Sequence, residues 1–113
     1  MSTVFRVLMI AAVFALVAAR PAMAQGDAEK GKAVYAAQKC AMCHSIAGVG
    51  GKASALDGVG KKLSEADIRA WIVTPKEMTG KTKSTKKPVM ADRYSKLPAA
   101  DIDALVAYMA SLK

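Results

Sequence analysis

Cys40-Ala41-Met42-Cys43-His44 decides the reading of this 113-residue chain. These five positions hold both cysteines and the single histidine of the whole sequence. Two cysteines three positions apart with histidine directly after them form the attachment signature of a c-type haem. The spacing has a chemical reason. On a helical turn, thiols at i and i+3 project to the same side, where both can bond to the vinyl groups of one porphyrin edge. The next residue then brings an imidazole to the iron as an axial ligand. A structural zinc site needs about four Cys or His ligands, and the chain has three in total. A thioredoxin-like pair belongs in a βαβ pattern, and almost no strand-like alternation is present. A chance disulfide or two buried structural thiols remain as the plain alternatives.

The N-terminus reads as a leader rather than as part of the fold. Met1 to Arg6 is short and basic, Val7 to Ala19 is an unbroken apolar run, and Ala22-Met23-Ala24 is a small-x-small cleavage site. These are the three parts of a secretory signal peptide. The apolar run falls short of the roughly 20 residues that span a bilayer, and Arg20-Pro21 closes it. An uncleaved anchor is the alternative. Residues 1–24 are therefore expected to be removed, leaving 25–113 as one small domain without a permanent membrane span. A domain of this size buries a modest core and benefits from a covalent or metal staple.

The chain has 17 basic residues against 9 acidic ones, and loss of Arg6 and Arg20 leaves a formal charge of +6. No nucleic-acid reading motif accompanies that charge. Lys76, Lys81, Lys83, Lys86 and Lys87 fall close together, with Glu77 the only acid among them. Each alone reads as a solvated surface residue. As a group they suit an acidic redox-partner protein, whose approach such a field would steer.

Helices are expected in four places. Asp27 is a good N-cap for a helix from Ala28 to about Lys39, with Gly31 and Tyr35 on one side. Ile46 to Gly60 reads as a glycine-rich loop. Ser64 caps a second helix with Asp67 at N3 and a Leu63–Ile68 staple. Pro75 ends it, and Thr74-Pro75-Lys76-Glu77 starts a third, to about Gly80. Ile102, Leu105, Val106, Met109 and Leu112 form an apolar stripe on a last helix from Ala99 to Leu112.

With His44 the only histidine, the second axial position is left to Met, Lys or an open site. Met42 lies between the cysteines, Met78 falls in the short third helix, and Met109 is on the packing stripe. Met90 lies in irregular chain after Pro88, where no periodic pattern claims it, and is the best placed. His/Met ligation raises a haem potential and fills both axial positions.

The sequence resembles the small class I cytochromes c of bacterial periplasmic type. Gly31 with Tyr35, the Cys40–His44 motif, Leu56-Asp57-Gly58, Trp71, Met90 and Leu105-Val106-Ala107-Tyr108 carry the resemblance across essentially all of residues 25–113. It implies an all-α cytochrome c fold, about four short helices around one covalently attached haem c, with the first and last helices packed closely. It implies that Gly31 and Tyr35 meet Leu105 and Tyr108. It also implies that Trp71 donates to a haem propionate, although core packing is the plain reading of a single tryptophan. In the family a proline two residues before the leucine supplies the carbonyl that holds the ligand histidine. Ser54 stands there in this chain, and its carbonyl takes that place. Ala91 stands where a proline usually follows the ligand methionine. The resemblance implies a non-enzymatic, periplasmic one-electron carrier with iron held by His44 and Met90. The alternatives are an electron-transfer subunit of an exported dehydrogenase, or a haem sensor or peroxidase with a labile sixth ligand.

Overall fold

The computed structural model describes residues 22–113. The leader reading of residues 1–24 falls outside that span apart from Ala22-Met23-Ala24. The first helix, α1, runs Ala22–Ala37. It passes straight through Asp27, so the expected cap there is corrected. Ala22, Met23, Ala24 and Gln25 are good helix formers, and the one weak helix former before Asp27, Gly26, does not stop the helix.

After α1 come a 3-10 turn at Cys40–Met42 and three short strands: β1 His44–Ile46, β2 Val49–Gly50 and β3 Ser54–Ala55. They form a small sheet in the order β2-β1-β3. The segment read as an irregular loop thus carries local order. β1 pairs antiparallel with β2 and parallel with β3, placing His44 opposite Ser54. The antiparallel pair turns at Ala47 and Gly48, both with positive φ (52° and 78°).

Four helices follow: α2 Val59–Lys62, α3 Glu65–Val73, α4 Pro75–Thr82 and α5 Ala99–Ser111, with a 3-10 turn at Asp92–Lys96 before α5. Ser64 caps α3 as expected, its Oγ accepting the Asp67 N–H at 3.1 Å. Pro75 opens α4. Thr74 does not cap it through its side chain; the hydroxyl donates back to the Ala70 carbonyl at 3.1 Å. The junction is thus held from the α3 side.

The core gathers Val34 and Tyr35 from α1, Ile68 and Ile72 from α3, and Ile102, Leu105, Val106 and Met109 from α5. Full burial of one such side chain is worth about 1.5–3 kcal/mol. Gly31 sets how close α1 comes to α5. A Cβ there would collide with the carbonyl of Ala104 and the Cβ of Tyr108. One turn on, the rings of Tyr35 and Tyr108 meet edge to face, 5.7 Å apart at 73°. The expected pairing of the terminal helices is therefore present. Among the described residues, no helix is long and apolar enough to cross a membrane.

Candidate cofactor site

Lys39 ends α1 in the left-handed conformation (φ 57°, ψ 36°) and swings the chain into the Cys40–Met42 turn. The turn is held by the Met42 N–H on the Lys39 carbonyl and the Cys43 N–H on the Cys40 carbonyl. Both thiols are free, Cys40 half-buried and Cys43 exposed. Burial pushes the Cys40 thiol above its ordinary pKa, and the Arg93 guanidinium pulls part of the way back.

The sheet explains the setting of His44. The Ser54 N–H donates to the Cys43 carbonyl at 3.2 Å, and the Leu56 N–H donates to the Ser45 carbonyl at 2.8 Å. This draws the Ser54 carbonyl to 3.1 Å from His44 Nδ1. A carbonyl oxygen only accepts, so Nδ1 carries the proton and Nε2 keeps its lone pair. Burial lowers the His44 pKa, with the Ser54 hydrogen bond acting the other way. An imidazole that is neutral, oriented by a carbonyl and free at Nε2 is prepared as a metal ligand.

His44, Cys40, Ser54, Trp71 and Met90 share one cavity of about 690 Å³. Leu56, Ile68, Ile72 and Leu105 add apolar wall. Its size falls within the roughly 300–1,000 Å³ typical of pockets for compact organic ligands. Two free thiols, a prepared imidazole, a thioether and apolar walls fit a covalently attached metalloporphyrin. Among the described residues, no cluster of three His, Cys, Asp or Glu is placed to hold a bare metal ion.

The methionines separate by position. Met90 lines the cavity, in the segment between α4 and the Asp92–Lys96 turn. Met78 is buried on α4 and is not part of the cavity wall. Met109 lies in the core and reaches the wall from α5. Met42 is 74% exposed. Trp71 stands on the wall and outside the buried core cluster.

The charged rim differs from the sequence cluster. Lys39, Lys86 and Arg93 line the mouth, an adjoining pocket of about 250 Å³ that takes in Cys43 and shares Cys40, His44 and Met90 with the cavity. Of the five grouped lysines only Lys86 does so. Lys76 is engaged with Asp92 at 2.9 Å, a hydrogen bond that raises its pKa. Lys39 and Arg93 were not singled out in the sequence. Their signal was position alone, one residue before Cys40 and three after Met90.

The family model for cytochrome c matches residues 28–113. No curated protein and no solved structure matches the chain.

Proposed function

The chain belongs to the cytochrome c family, and from that premise we propose a periplasmic one-electron carrier with His44 and Met90 as axial ligands. The family carries covalently bound haem c, and haem-based electron transfer follows. When bound, the haem supplies a one-electron Fe(III)/Fe(II) couple. Cys40 and Cys43 are the residues that would hold its edge. The observation that carries the reading is that His44 and Met90 line one cavity, Met90 from irregular chain, whereas Met109 reaches the wall as a core residue of α5 and the buried Met78 does not line it.

The chain's own residues account for the rest. The Ser54 carbonyl fixes the plane of the His44 ring and raises its basicity as a ligand. Ile68, Ile72 and Leu105 keep water from the wall, and a low local dielectric disfavours the more highly charged oxidised state. With His44 and Met90 both holding the iron, no position would be left for a substrate. An electron would enter and leave beside the exposed Cys43 and Met42. Lys86, with Lys39 and Arg93, gives that mouth a positive field suited to an acidic partner, and Lys81, Lys83 and Lys87 extend it. Export to the periplasm rests on the leader pattern of residues 1–24. Trp71, on the wall, would serve a propionate.

The test is the weak far-red sulfur-to-iron band of the ferric holoprotein. Met90→Ala should abolish it and open the ferrous form to carbon monoxide, while Met78→Leu should do neither. Persistence of the band in Met90→Ala would exclude Met90 as ligand.

A further inference from the structure

Arg93 lies three residues beyond Met90, in the Asp92–Lys96 turn. Its neighbour Tyr94 holds it in two ways. Nη2 donates to the Tyr94 hydroxyl at 3.0 Å, and Cζ lies 5.0 Å from the centre of the Tyr94 ring. Tyr94 is in turn half-buried against the core and lines the cavity. The exposed Arg93 side chain is therefore tethered to a half-buried ring. The cation–π contact and the hydrogen bond act together on one planar group, which a lysine ammonium cannot reproduce.

The tether places the guanidinium on the wall of the smaller adjoining pocket, which carries Cys43 and shares Cys40, His44, Met90 and Tyr94 with the large cavity. The adjacent carboxylate, Asp92, is turned to Lys76. The other ion pairs among the described residues are Lys30–Asp101 and Arg69–Asp103. Arg93 thus has no carboxylate partner among the described residues. Its charge is felt at the wall, where it draws the Cys40 thiol downward against the effect of burial.

Reduction of the iron adds one electron and no proton, so the site becomes one unit less positive. A fixed cation nearby favours that change. We infer that Arg93 is a potential-setting residue, a tethered positive charge that raises the reduction potential of the haem iron. The inference rests on the reading that the haem occupies this cavity. Tyr94 is its positioning residue.

Redox titration of the holoprotein at low ionic strength tests this. For a partly solvated charge, Arg93→Gln should raise the oxidised-to-reduced ratio at a fixed potential roughly two- to fourfold. At 59 mV per tenfold for one electron, that is a fall of about 20–35 mV. Arg93→Lys should stay nearer the wild type, and Tyr94→Phe should show part of the fall. The shift should shrink with added salt, and Lys32→Gln, at an exposed position of α1 that lines neither pocket, should show none. An unchanged potential in Arg93→Gln with the far-red band intact overturns the inference. So does a fall accompanied by loss of the band, because Arg93 would then act by holding Met90. Failure of the ligation reading is separate, since it shows as absence of the band in the wild type.

Discussion

His44 Nδ1 and the main-chain oxygen of Ser54, 3.1 Å apart, are brought together by a parallel strand pairing that sets the two residues opposite each other. The contact uses the backbone of Ser54 and not its hydroxyl. Ser54→Ala should therefore leave the absorption spectrum unchanged and move stability by no more than about 0.5 kcal/mol. Ser54→Pro restores the residue usual in the family, but it removes the N–H that donates to Cys43. It should cost about 1 kcal/mol in denaturant unfolding while the spectrum is kept. A spectral change in Ser54→Ala would mean that the hydroxyl takes part in holding the ring.

Two glycines set helix contacts around α5. A Cβ at Gly31 meets the Ala104 carbonyl, and one at Gly60 meets the Ala110 carbonyl. The Gly60 N–H also donates to the Leu112 carbonyl at 2.8 Å. Backbone atoms cannot rotate out of the way as a side-chain tip can. Gly31→Ala and Gly60→Ala should each destabilise the protein by about 1–3 kcal/mol in denaturant unfolding. Equal stability to the wild type at either position would show that the helices can part without loss.

The long elements were legible because each carries its own punctuation. Ser64 and Pro75 bound α3, and the stripe from Ile102 to Met109 marks the buried side of α5. The small sheet was not legible. Its strands, His44–Ile46, Val49–Gly50 and Ser54–Ala55, are two or three residues long, too short a run for alternation to show. They are held by backbone hydrogen bonds around the Cys40–His44 turn. The four-residue α2 was hidden for the same reason. At the site, the grouping of the cysteines and His44 could be read from spacing, and the place of Met90 on the cavity wall from the absence of any packing pattern around it. The rim could not. Density of lysines along the chain pointed to residues 76–87, but the cavity mouth joins the end of α1 to the segments on either side of Met90.

The turn between β1 and β2 holds a residue in a conformation that its side chain disfavours. Ala47 has φ 52° and precedes Gly48 at φ 78°, and its N–H is satisfied by Asp57 Oδ1 at 2.7 Å. A β-carbon residue at positive φ is strained, and asparagine tolerates that region best after glycine. Ala47→Asn creates the Asn-Gly pair that suits a hairpin with two positive φ values. It should stabilise the protein by about 0.5–1 kcal/mol, read as a higher denaturant midpoint at unchanged slope. No gain would indicate that the turn relaxes in solution.

Lys86 lines the mouth of the cavity beside Cys43, whereas Lys81 sits in the last turn of α4 and lines neither part of it. Both are exposed, so overall charge alone would make them equivalent. A field acting at the point of electron exit would not. Oxidation of the reduced holoprotein by ferricyanide, a small anion, separates the two cases by stopped flow. Lys86→Glu should slow the second-order rate severalfold at low salt, and Lys81→Glu should slow it less. The difference should close as salt shortens the Debye length to about 3 Å near 1 M. Equal slowing by the two variants would mean that net charge governs the encounter and that the mouth is not where the electron leaves.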